Sequence, residues 1–420
     1  MTMDELINEP YRLQPGFSDN PGNLKRQRFA EDAQVRLQAA LRERPPNIGW
    51  FEDLMRNRDF STKQRPRVGY LCNMIPQELA WALGADAVRL DCGNAGAALV
   101  GEEMLSGEIC PLAKASFGVF MNKDSMANSC DVVALPTSCD AKKKLGQILD
   151  DIKPAFMLAL PPEQDHRRYA DVTLQEMVRL VGFLETHLKT KLKSGALLAA
   201  VKLGRRRSAI VRKLQAIRMR TPRVMSFRDV MLVLQGSQFR PVAISHWITE
   251  AEKVVAWADT AAQQAGTTKG LKPRLVLTGA PLIWPNYKVL NVLEECGAEI
   301  VADTLCTGEQ SCFDPVVLDE TGVKPLLRAL TNRSVFAAIC PCFTSQTTRL
   351  NRIISLVEES AADGVVNHSL RLCQLFDMET YRIEKVLKAR KVAFLNIRTD
   401  YSLEDTEQLR VRIEAFLETV

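Results

Sequence analysis

A chain of 420 residues is too long for one ordinary core and calls for two or three domains. Its 46% apolar and 25% charged residues exclude extensive disorder, and no apolar run approaches the roughly 20 residues of a bilayer span. Asp4, Glu5 and Glu9 near the start do not read as a secretory signal, so a cytoplasmic setting with reduced thiols and no membrane contact is expected.

In chain order, residues 1–66 read as a polar, helical N-terminal segment broken at Pro15, Pro21, Pro45 and Pro46. Arg67 to Leu71 is a strand, Pro76 to Leu83 a helix opened by proline and stopped by Gly84, and Ala87 to Leu90 a second strand. Val132 to Leu135 and Phe156 to Leu160 continue the series, and residues 166–271 form a helical, basic connection expected to pack on the first domain. The same pattern then returns. Arg274 to Leu277 is a strand, Pro285 to Cys296 a helix, Gly297 its stop and Ala298 to Val301 a strand. Val335 to Ile339, Gly364 to Val366 and Val392 to Ile397 are further strand candidates. The fold class is therefore α/β, with two doubly wound parallel-sheet domains at 67–271 (connection included) and 272–420.

The connection carries a basic stripe from Lys189 to Arg223 without one acid. It suits a solvated helical face, or else an acidic partner, a phosphorylated ligand or a nucleic acid. No aromatic side chain is interleaved to stack on bases, so no nucleic-acid partner is expected.

In open parallel sheets ligands bind beyond the carboxyl ends of strands. Cys72, Cys139, Cys306 and Cys340 all stand just past predicted strands, four of eleven cysteines. Cys296, on an apolar helix face, and Cys130, before a strand, read as structural, whereas Cys92 and Cys312 are ambiguous. Cys340-Pro341-Cys342 is too tightly spaced for a zinc knuckle, and His166, His187, His246 and His368 pair with no matching cysteines. Many soft thiolates with few histidines favour iron–sulfur chemistry, with Cys110 in a loop or helix start and Cys373 after a strand as further donors. The compact ferredoxin spacing is absent, so ligands must converge from distant loops.

Leu71-Cys72-Asn73-Met74-Ile75-Pro76-Gln77-Glu78-Leu79 resembles a segment of 2-hydroxyacyl-CoA dehydratase and benzoyl-CoA reductase subunits. So do the stretches EICPLAK, Thr137-Ser138-Cys139-Asp140-Ala141-Lys142-Lys143-Lys144, DTLCTGEQ, ICPCFTSQTTRL and ADGVVNHSLRLCQLFD, over about residue 67 to the C-terminus. Within that family the pattern is most similar to the double-cubane cluster proteins. The resemblance implies Cys72, Cys110 and Cys373 on one cubane and Cys139, Cys306 and Cys340 on the other, lying between the domains. Cys342 is a substitute for Cys340, which is preferred because it directly follows a predicted strand.

The resemblance further implies an ATP-dependent iron–sulfur activator as electron donor, for which the basic stripe is one docking surface, a small unsaturated substrate, and a homodimer. The alternative is a dehydratase subunit with one four-iron cubane. His368 is a candidate proton donor or, equally, a hydrogen-bonded structural histidine. Lys142, Lys143 and Lys144 read as a solvated helix surface that could otherwise tune cluster charge. Glu309 and Gln310 stand where the family often has an arginine, which leaves the substrate pocket open.

Overall fold

The computed structural model describes residues 44–57, 60, 63–122, 125–265, 272–345 and 347–420. Residues 1–43 of the expected N-terminal helical segment lie outside the described residues; its remainder contributes α1 (Ile48–Arg56). The first sheet contains β1 (Arg67–Tyr70), β2 (Asp86–Arg89), β3 (Val132–Pro136) and β4 (Ala155–Leu158). Between these strands run α2 (Gln77–Ala82), α3 (Ala95–Glu102), α4 (Pro111–Phe120), α5 (Met126–Ser129) and α6 (Asp140–Asp150). Four long helices follow: α7 (His166–Leu188), α8 (Ser194–Arg220), α9 (Phe227–Phe239) and α10 (Ile244–Ala265). The second sheet contains β5 (Arg274–Gly279), β6 (Glu299–Asp303), β7 (Gly364–Leu370) and β8 (Ala393–Thr399). Its helices are α11 (Lys288–Glu295), α12 (Val323–Thr331), α13 (Thr347–Ser360), α14 (Gln374–Ala389) and α15 (Thr406–Leu417).

Both sheets are parallel and share one order, β2-β1-β3-β4 and β6-β5-β7-β8. The central strands β1, β3, β5 and β7 are almost wholly buried, as covered parallel sheets require of short apolar runs. No helix among the described residues is long and apolar enough to cross a membrane.

Three expectations need correction. Val335 to Ile339 is not a strand: Asn332–Phe336 forms a π-helical turn that continues α12, and its apolar residues bury by closing the helix end. The preference for Cys340 over Cys342 therefore loses its basis. The helix expected from Pro285 begins at Lys288. The connection does not pack on the first domain alone. Apolar residues of α7 and the start of α8 pack with β1 and β3. Those of α9 and α10, Trp247 and Leu232 among them, share a core with Leu275 and Leu277 of the second sheet.

Interdomain polar contacts are also buried. Glu78 of α2 takes a fork of two hydrogen bonds from Arg333, at 2.7 and 2.9 Å. Within the basic stripe, Arg207 and Arg218 point inward, to Gln77 and Glu309 respectively. Arg206, Arg220 and Arg223 instead meet Glu252, Asp259 and Glu299. The stripe is thus part core and part neutralised surface.

Candidate functional site

The carboxyl ends of both sheets open on one cavity of about 910 Å³ between the domains. Eight of the eleven cysteines line it: Cys72, Cys110, Cys139, Cys306, Cys312, Cys340, Cys342 and Cys373. All six sequence-predicted ligands are among them, and no histidine is. Cys130 sits in the apolar core behind β1 and β3, and Cys296 at the end of α11, both away from the cavity. Cys92 lies apart from the lining too, beside Ser116 and Tyr401.

Local structure explains how these thiols are presented. Cys110, Cys139 and Cys373 are the N-cap residues of α4, α6 and α14. Each stands at the positive end of a helix dipole, where a thiolate or any anionic group is favoured. Pro111 opens α4, and the Lys142 amide donates to Cys139 Sγ at 3.5 Å. Helix α4 is seated on α3 by Gly118, where a Cβ would collide with the Ala97 carbonyl. Cys72 follows β1 in the left-handed region at φ 73°, and its amide donates to Asp91 Oδ2 at 2.7 Å. That conformation is costly for a residue with a Cβ, and the buried hydrogen bond offsets it.

The thiols form one connected group. Cys110 and Cys373 are neighbours, and Cys139 is within electrostatic reach of both and of Cys340. Cys72 packs with Cys340 and Cys342 and interacts with Cys306. The hydrogen bond from Cys373 holds the Cys110 thiol below its ordinary value. The one from Cys342 brings Cys340 down to about 7, helped by Arg349 and Lys142. Burial pushes the Cys72 thiol up to about 12, with Lys142 opposing.

Charged residues that sequence reasoning missed stand among the thiols. Arg89 donates from Nε to Asp91 at 2.6 Å, from Nη1 to the Cys306 carbonyl at 2.8 Å and from Nη2 to Cys306 Sγ at 3.4 Å. Lys142 pairs with Asp91 at 3.1 Å and is largely buried, unlike the exposed Lys143, which corrects its reading as solvated surface. Burial alone would raise the Asp91 carboxyl, yet Lys142 and Arg89 hold it well below the usual carboxylate range. Arg349 bonds Glu379, the Ile339 carbonyl and Thr278 beside Cys340. Arg89 ends β2 and Asp91 follows it by two residues, so the strand-end rule that singled out the cysteines would have found them.

Two expectations about individual residues change. His368 lies within β7, buried and outside the cavity lining, with Nδ1 3.2 Å from the Ala280 carbonyl. Burial lowers its pKa to about 4, so the ring is neutral near pH 7, and the structural reading describes it. Glu309 is not a pocket residue: Arg218 and Gln215 of α8 bind its buried carboxylate. Gln310 does line the cavity, and its carbonyl accepts from Asn73.

Among the described residues no group of three His, Cys, Asp or Glu side chains converges closely enough for a single metal ion. The thiols surround a larger volume instead. Soft donors from several loops, helix N-termini and buried cations fit an anionic, polynuclear sulfur-rich group better than a lone hard cation.

Comparison with known proteins identifies the family. The family described as 2-hydroxyglutaryl-CoA dehydratase, D-component, matches residues 72–420. The putative dehydratase subunit YjiM of Escherichia coli (strain K12) is 29% identical over 362 residues, 86% of this chain and 93% of that protein. The beta subunit of (R)-2-hydroxyglutaryl-CoA dehydratase from Acidaminococcus fermentans is 22% identical over 368 residues, 86% and 94% of the two chains. The (R)-phenyllactyl-CoA dehydratase beta subunit of Clostridium sporogenes is 24% identical over 147 residues, 35% of this chain and 38% of that one.

Proposed function

The chain belongs to the 2-hydroxyacyl-CoA dehydratase family, and from that premise we propose that it is an iron–sulfur reductase with a double-cubane cluster. In this reading it takes low-potential electrons from an ATP-hydrolysing iron–sulfur activator and passes them to a small unsaturated substrate, working as a homodimer. The carrying observation is that both domains send thiols to one cavity, Cys72, Cys110 and Cys139 from the first and Cys306, Cys312, Cys340, Cys342 and Cys373 from the second, which includes all six expected ligands, three per domain. That is twice the set expected for a single cubane in a subunit of this family.

When bound, such a cluster supplies one-electron chemistry at low potential. The residues do the rest. Six thiolates bring large negative charge into a buried site. Lys142 and Arg89 offset it, and the N-termini of α4, α6 and α14 add partial positive charge. Cys342 stands beside Cys340 as a donor able to replace it. His368, buried and outside the lining, is assigned no role in this reading.

A second reading has its own support. The relatives are named as dehydratase subunits, which favours a dehydratase subunit, the reading that goes with one cubane. Activity decides between them. The anaerobic protein, given ATP and an iron–sulfur activator, is expected to reduce small unsaturated substrates without a second subunit. Dehydration of a 2-hydroxyacyl-CoA, appearing only with a second subunit, would establish the dehydratase instead.

A further inference from the structure

Tyr401 follows β8 at the carboxyl edge of the second sheet. It is only 5% exposed, and its hydroxyl is buried without a hydrogen-bond partner. The residue packs among Ala98, Ala115, Ala280 and Leu370, against Cys110 and Cys373. Cys110, Cys92, Asp91 and Cys373 all lie within its electrostatic reach, Cys110 foremost. Its backbone carbonyl accepts from Asn286 at 3.2 Å, which fixes the chain at this point. A phenylalanine would fill the same space with no polar group to satisfy, so the hydroxyl calls for an acceptor.

The acceptor follows from the thiols' own chemistry. Cys110 and Cys373 stand at the N-caps of α4 and α14, packed on the cluster that contains Tyr401. As metal ligands both would be anionic sulfurs in need of donors. Tyr401 is a neutral donor already packed beside them. We infer that Tyr401 donates its O–H to the sulfur centre held by Cys110 and Cys373, an inference that rests on the iron–sulfur reading above. A donor to cluster sulfur stabilises the more negative, reduced state and so raises the reduction potential.

The test is the Tyr401→Phe variant, reconstituted anaerobically beside wild type, with iron assayed and the midpoint potential read by a titration monitored by paramagnetic resonance. Tyr287→Phe is the control, since it removes a buried hydroxyl that donates to Gln235 at 2.9 Å and packs in a different cluster from Cys110 and Cys373. The expected result is wild-type iron in Tyr401→Phe, a more negative midpoint, and no loss of stability in the cluster-free protein. Full iron with an unchanged midpoint overturns the tyrosine assignment alone. An equal shift in Tyr287→Phe also overturns it, by showing a general packing effect. Wild-type protein that takes up no iron overturns the underlying reading and this inference with it.

Discussion

The two halves of the molecule have the same strand order, yet they arm it differently. After the third strand of each sheet both halves place a cysteine at a helix N-cap, Cys139 and Cys373. Between the second and third strands both send a further thiol to the cavity, Cys110 and Cys340. The symmetry breaks at the remaining position. The first half uses the loop after β1, Cys72, and turns Cys92, in the loop after β2, away. The second half uses the loop after β6, Cys306, while β5 ends in Gly279 and Ala280. Gly279 has φ 117°, and a Cβ there would strike the His368 carbonyl, so this turn is tied to the neighbouring strand. Topology thus fixes where ligands can stand, and local backbone decides which loop supplies them.

The largest effects should come from the positions that the comparison treats as equivalent. Cys139→Ala and Cys373→Ala should each lose about half the iron or more, with activity down at least ~10-fold, because ligand loss removes binding free energy directly. Metal analysis reads this out, and Cys92→Ala should keep full iron. Iron lost from Cys92→Ala but kept in Cys306→Ala would invert the assignment at the broken position.

Next come two buried ion pairs, each joining a residue of 67–271 to one of 272–420. Arg333→Ala strands Glu78, and Arg218→Ala strands Glu309, each in the interior. Either change should cost about 3–5 kcal/mol in denaturant unfolding. A cost under about 1 kcal/mol for Arg333→Ala would show that the pair does not hold the domains together.

His368 gives the second sheet a response to acid. Its folded pKa, about 4, lies below the ordinary 6.5, so the neutral ring contributes stability that is full above pH 6.5 and lost as pH falls toward 4. The loss approaches about 3 kcal/mol and should vanish in a His368→Asn variant when denaturation midpoints are followed against pH. The smallest effects belong to the cysteines outside the cavity. Cys130→Ala and Cys296→Ala should cost about 1 kcal/mol of stability each and leave iron content unchanged.

Both sheets were legible because short apolar runs alternate with helices in each half, and the strand-end rule located Cys72, Cys139 and Cys306. The rule also selected Cys340, for the wrong local reason. Val335 to Ile339 has strand composition, but a helix runs directly into it, and pattern alone cannot see that continuation. Lys142 was misread because its pairing with Asp91 depends on β2 and α6 meeting in space. Arg207 and Arg218 looked like surface charge because their partners Gln77 and Glu309 are distant in sequence. His368 sat beyond the predicted end of its strand, and four more residues of β7 carried it into the sheet.

The central claim is that two sets of three thiols, one from each half, hold one eight-iron centre. Iron and acid-labile sulfide counted on anaerobically purified wild-type protein test it most directly. The account predicts about eight irons per chain with matching sulfide. About four irons per chain, or stoichiometric zinc in colourless protein, would contradict it.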